Sequence, residues 1–250
     1  MGTALQGLLV AGMASASAEG RQSGAKRKTV VAFDALAIFD ASTIAKAAEA
    51  IWPGFGKPLA TAWRARIFDT AWISALGRHY VDFDEACRTG LRHALTALNL
   101  EAGADQQARL IAAWRKLDVY PDVRPQIARL KALGVEVGLL SNMTKATLEA
   151  NLRANGIGDS FDFVLSTDLI RNYKPDPSAY ALAMRELNVA RDAVIFVPSA
   201  DWDMAGAKWF GFATYWANRA RVPVDGFAVV ADLETPDLAK LPEFVLRHRK

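Results

Sequence analysis

Several short apolar runs in this chain stop abruptly at polar residues, and this feature constrains the fold more than any other. The first run ends at Asp34, the second at Ser141, and the third leads into a loop that reaches Asp203. Short runs rich in β-branched and aromatic residues are typical of buried strands. Parallel strands share one carboxyl edge, where open α/β folds build their sites, so these polar residues should meet there.

The periodicity of apolar residues changes from strand-like to helical and back again along the chain. It is helical between Ser42 and Asp122, with a wide apolar face on Thr61–Leu76 and a further helix for which Asp84 is the predicted N-cap. We therefore predict an α/β fold: a Rossmann-like parallel sheet core (residues 29–41 and 123–250) with an inserted all-helical cap (residues 42–122). The predicted strands are Thr29–Phe33, Val135–Leu140, Phe163–Ser166, Ala193–Val197, Ala213–Trp216 and Phe227–Val230.

Composition excludes several classes of function. The formal charge is only +3 with a pI near 9.0, and the short basic cluster at Lys26–Lys28 lacks interleaved aromatic residues, so we do not expect nucleic-acid binding. No apolar run approaches the roughly 18 residues that a membrane span needs, so no membrane partner is expected. The single cysteine, Cys87, excludes an intramolecular disulfide and a cysteine-based zinc site, and its apolar helix face predicts a buried structural thiol.

Residues 1–28 are predicted to be a signal-like leader and linker. Ala4–Ala18 is apolar and ends in two overlapping small-x-small sites of the kind that signal peptidases cut. The positive segment that normally precedes the apolar part is missing. Either the start codon has been placed too late, with the charged part of an export signal upstream, or the segment is a disordered apolar leader. We favour export to the periplasm, with the cytoplasm as the alternative.

Asp34 and Lys174 are the leading candidates for chemistry. A carboxylate directly after a buried strand costs several kcal/mol unless charge or hydrogen bonds compensate for it. The ammonium of Lys174 would provide that compensation and hold the carboxylate ionised for nucleophilic attack. Taken alone, Asp34 could be a helix N-cap or turn residue, and Lys174 a solvated loop residue before Pro175.

Further positions offer groups that bind anions or assist a site. Ser141 and Asn142 leave their strand with a hydroxyl, an amide and backbone N–H groups, which suit a carboxylate or phosphate, although such a pair is also a common turn. Arg64 heads an apolar helix row and is either an anion-binding group or a solvated arginine with a buried stem. Asp201 and Asp203 are two residues apart, so one carboxylate could serve the site while the other caps the helix that follows.

These fragments resemble a known family, the haloacid dehalogenase superfamily, and within it the type II (S)-2-haloacid dehalogenases. The resemblance runs from about Val30 to Trp216 and is carried, in order, by AFDALAIFD, the cap fragment AWRARIFDTAWISALGRHYVDF, LLSN, YKPDPSAY and FVPSADWDMAGAKWFGF. It implies hydrolysis of short-chain 2-haloalkanoic acids through an aspartyl ester, with a small-molecule substrate and without a cofactor or metal. A homodimer is a possible assembly.

The resemblance also implies roles for particular residues. Asp34 would be the nucleophile, Arg64 a contact for the halide and the substrate, and Lys174 the partner of Asp34. The substrate carboxylate would bind to Ser141 and Asn142. The family's supporting polar positions correspond to Tyr180, Ser199 and Asp203. Its apolar pocket wall corresponds to Phe68, Phe83 and Trp202.

The chain departs from the family pattern at several positions near the site. The Gly-Thr pair that normally follows the nucleophile is absent, Ala65 replaces a glutamine or similar residue, and Pro198, Ser199 and Ala200 replace a Ser-Ser-Asn run. Each change removes a hydrogen-bond donor. The losses predict that hydrolysis of the ester is slower than its formation.

Leu36 bears on a rival activity, phosphate-ester hydrolysis. The phosphatases of the superfamily place a general-acid aspartate two residues after the nucleophile, and this chain has Leu36 there. Without that proton donor, phosphate-ester hydrolysis should lose on the order of 10²–10⁴ in rate, whereas a halide leaves without a proton. Leu36 also removes part of the case for Mg²⁺.

Three hypotheses follow, and the first is favoured. The protein is a hydrolytic dehalogenase of 2-haloacids, a phosphatase with an unusual motif, or a catalytically weakened relative that binds small carboxylates or has a non-enzymatic role. Halide release from 2-chloropropionate, measured beside hydrolysis of a generic phosphate ester, distinguishes the three.

Overall fold

The computed structural model describes residues 28–223 and 226–249, so the predicted leader lies outside the described residues except for Lys28. The strands are β1 (Val30–Phe33), β2 (Phe39–Asp40), β3 (Asp118–Val119), β4 (Glu136–Ser141), β5 (Phe163–Ser166), β6 (Val194–Val197), β7 (Ala213–Ala217) and β8 (Leu233–Thr235). The helices are α1 (Ala35–Ile38), α2 (Ser42–Glu49), α3 (Gly56–Leu76), α4 (Phe83–Ala97), α5 (Ala104–Ala113), α6 (Val123–Ala132), α7 (Lys145–Ala154), α8 (Pro177–Leu187), α9 (Asp201–Phe210) and α10 (Leu241–His248).

The main sheet has six strands in the order β5-β4-β1-β6-β7-β8, and all neighbouring strands run parallel. β1 consists entirely of buried apolar residues, as expected for a central strand. It pairs with both β4 and β6, so that Phe33 lies opposite Leu139 and Val197. The carboxyl ends of these three strands therefore lie side by side, and the predicted α/β class with a Rossmann-like parallel sheet is confirmed.

An insertion leaves and rejoins the sheet through a two-stranded antiparallel ribbon, in which β2 pairs with β3 and Asp40 lies opposite Asp118. Between the two strands the chain forms α2 to α5. The longest of these helices, α3, buries Trp63, Ile67 and Ala71 on one face. We refer to residues 42–117 as the cap. The boundary predicted from sequence at residue 122 lies beyond β3, which belongs to the ribbon and not to the helical block.

Arg219 joins the ribbon to the sheet. Its Nε donates a hydrogen bond to the carbonyl oxygen of Ala37 (2.8 Å), and its Nη atoms bind the carboxylate of Asp122 at 3.1 to 3.2 Å. The guanidinium carbon lies 3.9 Å from the ring centre of Tyr120. Asp122 also accepts a hydrogen bond from the backbone N–H of Leu238 (2.7 Å). One guanidinium therefore holds both the segment that leaves the sheet and the segment that returns to it.

Two local predictions are wrong. Phe227–Val230 is not a strand, because the chain bends there and Ala228 has a φ of 56°, which breaks an extended backbone. The last strand of the sheet is β8 instead. Asp82, not Asp84, caps α4: its carboxylate accepts a hydrogen bond from the N–H of Glu85 (2.7 Å), and Asp84 lies in the first turn.

Cys87 is buried on α4, and burial raises the pKa of its thiol well above the usual value, as expected for a structural residue. Among the described residues, no helix combines the length and apolar character needed to cross a membrane.

Candidate active site

Asp34 follows β1 directly and caps the one-turn helix α1. Its Oδ2 accepts hydrogen bonds from the backbone N–H of Leu36 and from the hydroxyl of Ser199, each at 3.0 Å. Its own N–H donates to the carbonyl oxygen of Val197. Asp34 is thus an N-cap residue, but it also has partners from a distant loop. Donors from two strand ends fix its carboxylate at the edge of the sheet.

Lys174 is fully buried, and its ammonium lies between two carboxylates. Nζ donates to Oδ1 of Asp34 (2.9 Å) and to Oδ2 of Asp203 (2.6 Å). Burial disfavours the charge of Lys174, but the negative charges of Asp203 and Asp34 outweigh it and raise the pKa of the ammonium above its ordinary value. The structure therefore brings the two predicted partners together and keeps the lysine cationic.

Asp203 accepts a hydrogen bond from the same ammonium, but its carboxyl group is harder to ionise than that of an ordinary aspartate. Burial, with a smaller contribution from Asp34, raises the pKa of Asp203 to about 6, although Lys174 and Tyr180 act in the opposite direction. The two carboxylates around one cation raise the pKa of the lysine, whereas the raised pKa of Asp203 comes mainly from its burial. The Tyr180 hydroxyl donates to Oδ1 of Asp203 (2.8 Å). A Cβ at Gly206 would lie 2.4 Å from that hydroxyl oxygen, so this close approach requires glycine.

Asn142 supports the backbone of the lysine loop. Its Oδ1 accepts hydrogen bonds from the N–H of Lys174 (2.8 Å) and the hydroxyl of Thr167 (3.2 Å), and its Nδ2 donates to the carbonyl oxygen of Lys174 (3.2 Å). Ser141 Oγ accepts a hydrogen bond from the N–H of Met143 (3.3 Å). Both side chains also line the cavity described next. The geometry thus gives Asn142 a structural task in addition to the substrate contact that the resemblance implies.

A small cavity lies above Asp34, between the sheet edge and the cap. Its volume of about 20 Å³ is small, since one water molecule needs roughly 10–15 Å³ on the same measure. Its walls are mainly apolar. The sheet side contributes Asp34, Leu36, Ser141, Asn142, Met143, Ser199, Ala200 and Trp202, and the cap contributes Arg64, Ile67, Phe68, Phe83 and Trp114.

An aromatic seam joins the cap to the core beside this cavity. Phe68 and Trp72 of α3 each meet Trp202 of α9, with ring centres 5.3 and 5.2 Å apart. Trp72 also donates its Nε1–H to the carbonyl oxygen of Lys174 (2.9 Å). Arg64 lies one turn before Phe68, and its guanidinium has no carboxylate partner within the described part of the chain. An unpaired cation on the cap thus faces the nucleophile candidate across an apolar space, an arrangement suited to a small anion.

The structure places the predicted site residues in two connected groups. Asp201 begins α9 and takes no part, whereas Asp203, one half-turn later, points to Lys174. Sequence reasoning did not identify the parts of Trp72 and Trp114 in the site. The hydrogen-bonded network contains Asp34, Lys174, Asp203, Tyr180 and Ser199, and the cavity wall contains Arg64, Ser141, Asn142, Phe68, Phe83 and Trp202.

Within residues 28–223 and 226–249, no group of three or more His, Cys, Asp or Glu side chains is arranged to hold a metal ion.

Comparison with known proteins identifies the class. A sequence profile of the haloacid dehalogenase-like hydrolases matches residues 24–211. The (S)-2-haloacid dehalogenase of Xanthobacter autotrophicus is 36% identical over 222 residues, which cover 88% of this chain and 85% of that protein. The chain therefore belongs to the haloacid dehalogenase-like hydrolases, and the family recognised from its motifs is confirmed.

Solved structures resemble the chain over nearly the same length. A crystal structure of an L-2-haloacid dehalogenase matches with a TM-score of 0.84 at 36% identity, covering 88% of this chain and 99% of that one. The structure of the Xanthobacter autotrophicus enzyme with chloropropionic acid covalently bound matches with a TM-score of 0.79 at 31% identity, covering 88% and 98%. Within the family, the chain is thus similar to the enzymes that act on 2-haloacids.

Proposed function

We propose that this protein hydrolyses the carbon–halogen bond of short-chain 2-haloalkanoic acids through an aspartyl ester on Asp34. The observation that carries the proposal is the setting of Asp34: Lys174 and Ser199 fix its carboxylate beneath a small, mainly apolar cavity with Arg64 in the opposite wall. A fixed carboxylate with restricted hydration is a competent nucleophile toward carbon. The similar enzyme that holds chloropropionic acid covalently supports the same chemistry.

The first step is substitution at C2 of the substrate. One carboxylate oxygen of Asp34 forms a bond to C2 while the carbon–halogen bond breaks, and the halide leaves with the bonding electrons. In-line attack inverts C2. Arg64 and the Ser141 hydroxyl are the cavity groups that can bind the anionic parts of the substrate. Lys174 stays protonated, because Asp203 retains its hydrogen bond to the ammonium.

The second step is hydrolysis of the ester. Water attacks the carboxyl carbon of Asp34, and the bond between that carbon and the ester oxygen breaks. The water oxygen remains on Asp34. One proton of the water is transferred to the departing alkoxide oxygen, which gives a 2-hydroxy acid, and the other is released as Asp34 becomes a carboxylate again. The ammonium of Lys174, 2.9 Å from Oδ1 of Asp34, is placed to stabilise the oxyanion that develops there.

The position of Leu36 disfavours a phosphatase. Its backbone N–H binds Asp34 and its apolar side chain lines the cavity, so no acid stands where phosphate-ester hydrolysis would need a proton donor. A weakened relative that only binds small carboxylates would share the cavity but would form no ester. The two cases therefore differ in a covalent product that can be measured.

Intact-mass measurement during turnover of (S)-2-chloropropionate tests the proposal. The parent protein should release chloride and accumulate an adduct on Asp34, because donors that assist ester hydrolysis in the family are absent here. Asp34→Asn should release no chloride and form no adduct. Asp40→Asn is a matched control, since Asp40 binds Ser42 outside the cavity. If no adduct is ever seen and Asp34→Asn releases chloride at the parent rate, the proposal is wrong.

Export and homodimer formation remain predictions. We propose both for the full chain, on the basis of the small-x-small sites near Ala16 and of the family resemblance, respectively. The mass of the mature protein recovered from a periplasmic fraction tests the first, and sedimentation equilibrium tests the second.

A further inference from the structure

Trp114 carries a buried hydrogen-bond donor without an acceptor. Its indole Nε1 is enclosed and bonds to no other group, the residue is 4% exposed, and it lines the cavity above Asp34. Buried indole N–H groups usually find a partner, because an unpaired buried donor costs free energy. In the described part of the chain, three buried side-chain polar atoms lack a hydrogen-bond partner: Arg66 Nε, Thr70 Oγ1 and Trp114 Nε1. Among these three residues, only Trp114 lines the cavity.

Nearby tryptophans show how the chain satisfies such donors elsewhere. Trp63 donates its Nε1–H to the carbonyl oxygen of Cys87 (2.8 Å), and Trp72 donates to Lys174 (2.9 Å). The Trp114 ring packs edge to face against Trp63 and Phe83, at centroid distances of 5.9 and 5.6 Å. These neighbours offer apolar surfaces and no oxygen. No acceptor for this N–H is in place, and the cavity that Trp114 lines is the adjoining space that a substrate would occupy.

The direction of the proposed reaction indicates which part of the substrate would accept a hydrogen bond from Trp114. In an in-line displacement, the leaving group departs on the side opposite the nucleophile. Asp34 attacks from the sheet edge, so the halide moves toward the cap. The cap wall contains two residues with hydrogen-bond donors, Arg64 and Trp114, because its other members are Ile67, Phe68 and Phe83.

We propose that the indole N–H of Trp114 donates a hydrogen bond to the departing halide, and so acts as a catalytic residue beside Arg64. This inference rests on the proposed function. As the bond between C2 and the halogen breaks, the halide takes the electron pair and gains a full negative charge. The N–H···halide bond strengthens as that charge develops, so it stabilises the transition state more than the bound substrate.

Trp114→Phe isolates the N–H group, because phenylalanine keeps an apolar ring in the same place. The matched control is Trp63→Phe, which removes an indole N–H from the same aromatic cluster but from a residue outside the cavity wall. The assay is single-turnover formation of the Asp34 adduct with 2-chloropropionate and 2-bromopropionate, together with steady-state kcat and KM. Thermal unfolding of both variants reports on their folding.

Trp114→Phe should form the adduct from 2-chloropropionate about tenfold to a hundredfold more slowly in single turnover, and steady-state kcat should fall only as far as this step becomes slower than ester hydrolysis. The loss should be smaller with 2-bromopropionate, since bromide is the larger ion and the better leaving group and therefore depends less on a donor. Trp63→Phe should keep the parent ratio of the chloride to the bromide rate.

An unchanged ratio in Trp114→Phe, or an equal change of the ratio in Trp63→Phe, would overturn the assignment of Trp114. Failure of the proposed function would look different: the parent protein would form no adduct with either substrate, and the role of Trp114 would fall with it.

Discussion

Replacing Lys174 with methionine tests whether one ammonium holds two carboxylates together. In the native site, one positive and two negative charges give a net charge of −1. Lys174→Met preserves most of the side-chain volume but leaves a net charge of −2 on Asp34 and Asp203. Adding Asp203→Asn restores −1. The double variant should therefore be more stable than Lys174→Met, even though it contains one more substitution.

The size of the effect follows from burial. Removing one partner of a buried ion pair costs about 3–5 kcal/mol, because the remaining charge is uncompensated. Asp203 has a side-chain exposure of 1%, so its carboxylate cannot be rehydrated without opening the site, and Asp34, at 12%, has access only to the small cavity. We expect Lys174→Met to lower the free energy of unfolding by an amount in this range at about pH 8.

The loss must also depend on pH. The folded-state pKa of Asp203, about 6, lies above its ordinary value of 3.8, so the folded protein binds this proton more tightly than the unfolded chain does. Stability from this group is therefore fully present below the ordinary value and is lost as pH rises through about 6. Lys174 lowers this pKa in the parent, so in Lys174→Met it should be higher, and the penalty should be smaller at about pH 5 than at pH 8, with the unpaired charge of Asp34 remaining.

Urea unfolding of the parent, both single variants and the double variant, at about pH 5 and pH 8, measures these differences. Adduct formation should be lost in Lys174→Met and in the double variant, since Asp34 lacks its cation in both. Equal unfolding free energies for the parent and Lys174→Met at pH 8 would refute the reasoning. So would a double variant that is less stable than Lys174→Met.

Three further outcomes are expected. Because Leu36 occupies the place of a general acid, excess chelator should leave halide release unchanged, and a loss that Mg²⁺ restores would contradict this. Tyr180→Phe removes a hydrogen bond that lowers the pKa of Asp203, so the acid limb of the pH–rate profile should move up by on the order of half a pH unit. An acid limb that does not move would count against a role for Asp203. Arg219→Ala should lower the free energy of unfolding, measured by urea titration, by about 2–4 kcal/mol. Arg153 forms an exposed ion pair with Glu149, so Arg153→Ala should change this free energy by less than about 0.5 kcal/mol. Similar losses in the two variants would show that the pairing of Arg219 with Asp122 is unimportant.

The ends of the central strands could be predicted from the sequence because a buried strand has a strong signal. An apolar run that stops at Asp34 or Ser141 marks both the strand and the edge where it ends. Phe227–Val230 gave the same apolar signal, yet the chain bends at Ala228. Apolar content alone does not distinguish a strand from a loop that packs on the surface, since the difference lies in backbone dihedral angles.

The pairing of Asp34 with Lys174 could also be predicted, because a buried carboxylate requires a compensating charge. The choice between Asp201 and Asp203 could not, since it depends on where α9 begins. The hydrogen-bond partners of the indole N–H groups could not be predicted from the sequence either. Trp72 bonds to a carbonyl oxygen 102 residues away, and only the packed structure brings the two together.

The ribbon and the aromatic seam together determine how a substrate can reach Asp34. The cavity of about 20 Å³ is small for a haloacid, so we expect the cap to move away from the sheet before substrate binds. The two connections of the cap are adjacent and both are bonded to Arg219, so the expected motion is a rotation of the cap about the ribbon. That rotation would break the hydrogen bond from Trp72 to the carbonyl oxygen of Lys174, the residue that carries the ammonium. Entry of the substrate and assembly of the site would therefore be coupled.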